Sequence, residues 1–382
     1  MSSSVLPSAA GLRSFFMAGF ECASQRRADG KRLDLLASTR HDVCAATDYA
    51  LVAGRGMRAA RDGMRWHLIE KTAGFYDWSS VAPMAKAAQG AGVQIVWDLC
   101  HYGYPDWLDV WSPSFPERFA RFSKAAAQFL KDQSDEIPYF CPVNEMSFWA
   151  WAGGDMGRFN PTTKGRGDEL KRQLARAAIA SIDAVREVDP RARFIVAEPC
   201  IHVSPNGDSP QALADAADYC NVQYAAHDML VGRLNPELGG SPDKLDIVGV
   251  NYYPDNQWVL GGPPVPLGQY NYRPFRELLA QTAERYGRPV IVSELGAENT
   301  APPGLALLRR PGGRGRAEGR SERRGHVPLS DLRLSGLGQR SPLRRRPVRE
   351  RRPRRRAPDL RGIRRRTRAT APALRGGSSR RQ

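Results

Sequence analysis

The 382-residue chain lacks most of the short motifs that carry metal or cofactor chemistry. It has no CxxC pair, and its six histidines show no HxxxH spacing. A GxGxxG fingerprint, a Walker loop and a GxSxG elbow are also absent. These absences argue against a zinc finger, the common nucleotide-binding folds and the usual serine hydrolases. We therefore expect neither a metal nor a cofactor.

The sequence also lacks long apolar runs and a recognisable secretion signal. No run approaches the roughly 18 apolar residues of a membrane helix. The start, "MSSSVLPSAAGLRSFF", has no basic segment and no long apolar core. The six scattered cysteines, four of which close strand-like runs, indicate buried free thiols rather than a disulfide framework. We expect a soluble, cytoplasmic protein with no membrane partner.

Residues 304–382 contain no aromatic residue and no Lys, Asn, Cys or Met. They hold 26 of the 57 basic residues and 5 of the 40 acidic ones, which leaves residues 1–303 with a net charge of −4. The overall charge of +17 therefore comes from this tail. We divide the chain into a mildly acidic globular domain, residues 1–303, and an Arg-rich low-complexity tail, residues 304–382.

Two interpretations of the tail are possible. As a nucleic-acid-binding arm it would be unusual, because such arms mix Lys with Arg and often interleave aromatics. Arg with Pro, Gly, Leu, Ala and Ser is the composition expected when GC-rich codons are read out of frame. We therefore hypothesise a frame change near Pro303 and expect residues 304–382 to be disordered. Any binding to nucleic acid would then be nonspecific.

Seven short runs are rich in apolar, β-branched and aromatic residues. Such near-continuous runs are typical of parallel strands that are covered on both faces. They are "SFFMAGFE" (14–21), "GMRWHLIE" (63–70), "GVQIVWDLC" (92–100), "YFCPVNE" (139–145), "RFIVAEP" (193–199), "LDIVGVNYY" (245–253) and "RPVIVSE" (288–294).

Segments with helical spacing separate these runs, most clearly 115–133, 168–188 and 273–287. Repeated strand–helix alternation indicates parallel strands with right-handed crossovers. Polar residues close most of the strands, which is the habit of a TIM (β/α)8 barrel with its active site at the strand C-termini. Seven units are recognisable and we expect the eighth to be missing.

Two carboxylates close the fourth and seventh predicted strands. Glu145 stands in "VNEMSFWAW" and Glu294 in "VSELG". Hydrolysis of a glycosidic bond uses two such groups, one to protonate the leaving oxygen and one to attack the anomeric carbon. Either glutamate alone reads as a strand-end residue paired with an Arg. The two together, with Asn144 before the first, favour catalysis.

The predicted strand ends contain the motifs "RWHLIE", "DLCHYGYPDW", "VNEMSFW", "VGVNYYP" and "VSELG". These motifs resemble those of the family 1 glycoside hydrolases, the β-glucosidase family within the clan of retaining (β/α)8 glycosidases. The resemblance extends over residues 14–300. It implies that Glu145 is the general acid/base and Glu294 the nucleophile.

The resemblance also implies substrate-binding residues. Asn144 would contact the 2-hydroxyl of the sugar, while Arg65 and Tyr253 would keep the nucleophile ionised. Three further rim residues are expected to contact the sugar: His101, Asn251 and Trp149. For His101 a purely structural role is nearly as well supported, and for aromatic residues packing is the common alternative.

The sequence thus predicts a retaining β-glycosidase whose partner is a small-molecule or oligosaccharide β-glycoside. A β-galactoside or a β-1,4-glucan remains an alternative substrate, because loops outside the strand ends set specificity. Without an eighth strand the barrel would keep open edges, so a catalytically inactive carbohydrate-binding remnant is a second reading. Nucleic-acid binding through the tail is a third.

Overall fold

The structure is a computed structural model that describes residues 10–296. The disorder and the frame change predicted for residues 304–382 lie outside the described residues. The division of the chain at residue 303 therefore stays a prediction.

A seven-stranded parallel sheet forms the centre of the described part of the chain. Its strands follow one another in chain order, and every neighbouring pair is parallel. They are β1 (Ala18–Gly19), β2 (Ala59–Gly63), β3 (Gln94–Cys100), β4 (Tyr139–Val143), β5 (Arg193–Pro199), β7 (Ile247–Tyr252) and β9 (Val290–Leu295). The separate pair β6 (His202–Ser204) and β8 (Gln257–Val259) is also parallel. This sheet is a nearly closed (β/α) barrel without an eighth unit among residues 10–296.

Helices connect the strands. The α-helices are α1 (Leu35–Thr39), α2 (His41–Gly54), α3 (Trp66–Ile69), α4 (Ala82–Ala91), α5 (Phe115–Gln133), α6 (Met146–Trp149), α7 (Gly167–Val188), α8 (Pro210–Asn221), α9 (Ala225–Leu230) and α10 (Phe275–Tyr286). A π-helix, Ala150–Asp155, continues α6, and there are four 3-10 turns: Trp78–Ser80, Val222–Tyr224, Pro236–Leu238 and Pro242–Lys244. None of the helices in the described range is long and apolar enough to cross a bilayer.

The barrel interior is apolar at the end where the strands begin. A cluster formed by Ala59, Val96, Tyr139, Ile195 and Ile247 lies at or near the strand starts, and Ala10 and Leu12 pack against it. A larger cluster fills the space between the sheet and the helices. Since the strand starts are sealed with apolar side chains, the polar residues of the interior collect at the opposite end.

Strand β9 is less buried than the interior strands of the sheet. Every residue of β4 and of β7 is buried, whereas only Ser293 is buried in β9. Among residues 10–296, β9 pairs with β7 alone, and β1 pairs with β2 alone. The two strands therefore border a seam at which the described barrel is open.

Most of the predicted elements are confirmed, and one strand is wrong. Five strands of the central sheet (β3, β4, β5, β7 and β9) lie within the predicted runs or extend one residue past them. Helices α5, α7 and α10 lie within two residues of their predicted bounds. Residues 63–70, however, hold helix α3, and the strand is Ala59–Gly63 instead. Strand β2 carries the buried charges Arg61 and Asp62, so it does not read as an apolar run.

Candidate active site

Glu145 follows β4 in a backbone conformation that is uncommon for its residue type. Its φ is 44°, in the left-handed region that side chains with a Cβ rarely adopt. The amide donates to the Ala197 carbonyl on β5 at 2.9 Å, and the carbonyl accepts from the Trp149 amide at 2.8 Å. Strain of this kind persists only where the surroundings hold it, and it often marks functional sites.

Both carboxyl oxygens of Glu145 receive hydrogen bonds from neighbouring side chains. Asn251 Nδ2 lies 2.9 Å from Oε1, and the Tyr102 hydroxyl lies 2.7 Å from Oε2. Burial and the nearby Glu294 carboxylate raise the pKa of Glu145 to about 8. The group therefore holds a proton at neutral pH, as a general acid must.

Glu294 lies near the end of β9 in a different environment. Arg61 Nη1 is 2.6 Å from Oε1, and the Tyr253 hydroxyl is 2.7 Å from Oε2. Burial, together with the Glu294 and Glu145 carboxylates, raises the pKa of Tyr253, so the phenol remains a donor. The side chain of Glu294 is 17% exposed. A cation and a phenol therefore stabilise the charge of a carboxylate that solvent can reach.

Arg61 links this carboxylate to the floor of the site. Its Nε and Nη2 each lie 2.8 Å from one oxygen of Asp98, and Nη2 lies 2.7 Å from Asn144 Oδ1. Burial opposes ionisation of Asp98, but Arg61 and His101 outweigh it and lower the pKa. The buried charges are therefore paired, as buried charges need to be.

The role predicted for Arg65 is wrong, because its side chain does not contact Glu294. Arg65 Nη1 lies 3.2 Å from Asp34, the N-cap residue of α1, and 2.9 Å from Asp42, in the first turn of α2. Strand β2 ends at Gly63, so Arg65 lies beyond the strand and turns away from the barrel axis. Arg61, four positions earlier, makes the contact with Glu294 that was predicted for Arg65.

Asn144 is fully buried and uses its whole amide inside the protein. Its Oδ1 accepts from Arg61 and, at 3.2 Å, from Asn251. Its Nδ2 donates to the Tyr102 hydroxyl at 3.0 Å and lies 2.9 Å from His101 Nε2. Because a guanidinium can only donate, Arg61 fixes which end of the amide is the oxygen. The contact predicted between Asn144 and a sugar 2-hydroxyl stays a prediction.

His101 is held from both sides of its ring. Nδ1 lies 3.1 Å from Asp98 Oδ2, and Nε2 faces the Asn144 amide nitrogen. Burial lowers its pKa, but Glu21 and Asp98 outweigh burial and raise it to about 9. The Asn144 N–H nevertheless requires an acceptor at Nε2. This hydrogen bond requires the neutral form of the His101 ring. The Asn144 amide cannot rotate to offer its oxygen to Nε2 instead, because its NH2 group would then face Arg61.

The fold brings together three possible metal ligands that the sequence spacing did not indicate. Cys22 Sγ, Asp98 Oδ2 and His101 Nδ1 lie 3.1 to 3.5 Å apart. Two features make them unsuitable for a cation. Burial and Asp98 raise the pKa of the Cys22 thiol, and Arg61 already donates to both Asp98 oxygens. Hydrogen bonds account for the cluster.

Trp149 does not reach the barrel mouth, so the contact predicted between its side chain and a sugar is wrong. The side chain is fully buried, and its indole N–H donates to the Asn160 carbonyl at 2.8 Å. Its ring packs against Tyr102 and Tyr104. Helix α6 turns it inward immediately after Glu145. Trp149 therefore supports the site from behind.

The residues that sequence reasoning missed are Arg61, Asp98 and Tyr102. Asp98 and Tyr102 both lie in the quoted motif "DLCHYGYPDW", and a period of two along β3 would have placed Asp98 on one face with Cys100. Arg61 had no such signal, because the strand that carries it was placed elsewhere.

Comparisons with known proteins identify the fold. No family model matches the sequence, and no curated protein matches it. Among solved structures, the AHE enzyme from Alicyclobacillus herbarius has a TM-score of 0.60 at 18% identity, covering 69% of this chain and 68% of that one. A family 1 β-glucosidase from Thermotoga maritima has 0.55 at 16%, covering 68% and 67%. The virulence factor SghA from Agrobacterium tumefaciens has 0.55 at 20%, covering 68% and 69%. The chain therefore has a barrel fold like that of family 1 β-glucosidases.

Proposed function

We propose that the chain is a retaining β-glycosidase, with Glu145 as general acid/base and Glu294 as nucleophile. The proposal rests on the different surroundings of two carboxyl groups, Glu145 and Glu294, at the same end of the barrel. Burial keeps Glu145 protonated, with its pKa raised to about 8, while Arg61 and Tyr253 donate to Glu294. Glycoside hydrolysis requires one carboxyl that delivers a proton and a second that attacks the anomeric carbon, and these different surroundings suit the two roles.

In the first step Glu145 passes its proton to the glycosidic oxygen. The bond from that oxygen to the anomeric carbon breaks, its electron pair stays on the oxygen, and a Glu294 oxygen bonds to the carbon. In the second step Glu145 takes a proton from water, the water oxygen bonds to the anomeric carbon, and Glu294 leaves. Each step inverts the configuration at the anomeric carbon, so the product keeps the configuration of the substrate.

The proposed substrates are β-glucosides, tested first with aryl aglycones. SghA, one of the proteins of similar fold, has been solved with its substrate analog salicin. The Thermotoga maritima enzyme has been solved with glucoimidazole and with deoxynojirimycin. The six unpaired cysteines support the further proposal of a cytoplasmic location.

Hydrolysis of 4-nitrophenyl β-glucoside and β-galactoside by the full chain tests the proposal. We expect turnover by the wild type, and a loss of roughly 10³-fold or more in Glu145→Gln and Glu294→Gln. Glu70→Gln is the matched control, since Glu70 is another buried glutamate, but its oxygens accept from the Trp66 indole and the Gly74 amide, away from Glu145. Equal rates in the wild type and in Glu294→Gln would overturn the assignment.

The second candidate is an inactive remnant that binds carbohydrate. The seam between β1 and β9 favours it, because β9 is only partly buried there. This candidate predicts no turnover by the wild type or by Glu294→Gln, with saturable binding of glucose-type inhibitors by both.

We also propose that the reading frame changes near Pro303. The composition of residues 304–382 and the unpaired edges that β1 and β9 show within residues 10–296 support this. Sequencing the gene across codons 300–305 in independent isolates tests it. An inserted or deleted nucleotide relative to a longer open frame is expected, and an intact frame in every isolate would end the proposal.

A further inference from the structure

Tyr102 follows β3 in the same unusual backbone region as Glu145. Its φ is 66°, and its side chain is buried. The side-chain Nδ2 of Asn160 donates to the Tyr102 carbonyl at 2.9 Å. The Tyr102 ring contacts those of Phe148, Trp149 and Phe159, with centroids 5.2 to 5.8 Å apart. Packing thus holds a strained residue so that its hydroxyl meets Glu145.

The direction of each hydrogen bond around Glu145 follows from donors that cannot reverse. Arg61 fixes the Asn144 amide, so Asn144 Nδ2 donates to the Tyr102 oxygen. The Tyr102 hydrogen is then directed to Glu145 Oε2 at 2.7 Å. On the other side, Asn144 Oδ1 can only accept, so the Asn251 atom that lies 3.2 Å from it is Nδ2, and the same Nδ2 donates to Glu145 Oε1. Both oxygens of Glu145 meet donors, an arrangement that suits the ionised carboxylate.

This inference rests on the proposed function. We propose that Tyr102 is a positioning residue for Glu145. Its hydroxyl donates a hydrogen bond to Oε2 while Glu145 is ionised, between the two steps, and this hydrogen bond is absent while Oε2 carries the proton. In the first step the proton leaves Oε2 for the glycosidic oxygen, and the Tyr102 O–H then donates to Oε2. In the second step Oε2 takes a proton from water and the Tyr102 bond breaks.

Opposing groups act on the proton affinity of Glu145. Burial raises its pKa, as do the carboxylates of Glu294 on β9 and Glu198 on β5. Tyr102 and Asn251 lower it by bonding the charged form. Without Tyr102, Glu145 would be a weaker acid, and leaving groups that need protonation would depart more slowly.

The first test measures Glu145 directly and needs no turnover. The full chain is labelled with carboxyl-¹³C glutamate, the Glu145 signal is assigned by its loss in Glu145→Gln, and its pKa is followed by NMR in Tyr102→Phe. We expect an upward shift of roughly one pH unit, the worth of one hydrogen bond to a charged group. Tyr104→Phe is the matched control, because Tyr104 packs on the same Trp149 without a bond to Glu145. An unchanged pKa in Tyr102→Phe would overturn the proposal.

The second test uses β-glucosides with aglycones of graded acidity. Tyr102→Phe is expected to lower kcat/KM about tenfold for phenyl β-glucoside and little for 2,4-dinitrophenyl β-glucoside, whose aglycone leaves without a proton. A uniform loss across the series would indicate a merely structural role and contradict the proposal. If the wild type turns over no substrate, the proposed function fails, while the NMR titration still decides the role of Tyr102.

Discussion

The guanidinium of Arg61 lies 2.6 Å from the carboxylate of Glu294, although 233 positions separate the two residues. Arg61 is on β2 and Glu294 on β9. In the described part of the chain no strand joins β1 to β9, so this ion pair bridges the seam. The same guanidinium also donates to Asp98. One side chain therefore spans the seam, binds the proposed nucleophile and pairs with a buried carboxylate.

Replacing Arg61 is expected to damage stability and activity together. Arg61→Met leaves the buried Asp98 without its partner, and breaking a buried pair costs about 3–5 kcal/mol of unfolding free energy. Urea unfolding measures this loss, and aryl glucoside hydrolysis measures the loss of activity. Arg65→Met is the control: it removes contacts to Asp34 and Asp42, so kcat should stay near that of the wild type. A stable, active Arg61→Met protein would refute the role of the pair.

Glu145 is expected to make the folded state less stable as the pH rises. In the unfolded chain its carboxyl ionises near 4.5, while in the folded chain burial and Glu294 keep it protonated up to about 8. Its stabilising contribution is therefore complete below pH 4.5 and is lost as the pH rises to 8. Relative to wild type, Glu145→Gln should gain about 3–4 kcal/mol between pH 5 and pH 8. Urea unfolding at pH 5, 6.5 and 8 measures the difference, and parallel curves would contradict it.

The same raised pKa sets the basic limb of the activity profile. The proposed mechanism needs Glu145 protonated, so kcat/KM for phenyl β-glucoside should fall above about pH 8. The pH above which kcat/KM falls should be higher in Tyr102→Phe than in the wild type, and it should be unchanged in Tyr104→Phe. A kcat/KM that stays constant from pH 7 to pH 10 would contradict the assignment of Glu145 as general acid.

The open edge of β9 is expected to exchange its amide hydrogens faster than the interior strands. Strand β4 is bonded on both sides, whereas β9 pairs with β7 alone within the described range. Exchange followed by mass spectrometry, on peptides covering 139–143 and 290–295, should show much lower protection for the second. Equal protection of the two peptides would mean that a further strand covers β9.

The sequence predicted those parts of the barrel in which local pattern and burial agree. Strands β3, β5 and β7 are apolar on both faces, so their runs were visible, and Glu145 and Glu294 could be placed at strand ends. Strand β2 was displaced because Arg61 and Asp62 are buried as charges, and their pairing depends on tertiary contacts. Tyr102 was missed for a similar reason, since nothing in the residue type indicates a φ of 66°.

Covalent trapping tests the central claim most directly. The full chain is incubated with 2,4-dinitrophenyl 2-deoxy-2-fluoro-β-glucoside. Its fluorine slows both steps, but its activated leaving group restores the rate of the first, so the covalent intermediate accumulates. Peptide mass spectrometry then locates the sugar. We predict one glucosyl adduct on the peptide that contains Glu294, and none in Glu294→Gln. A folded wild-type protein that forms no adduct, or that carries the sugar on another residue, would contradict the account.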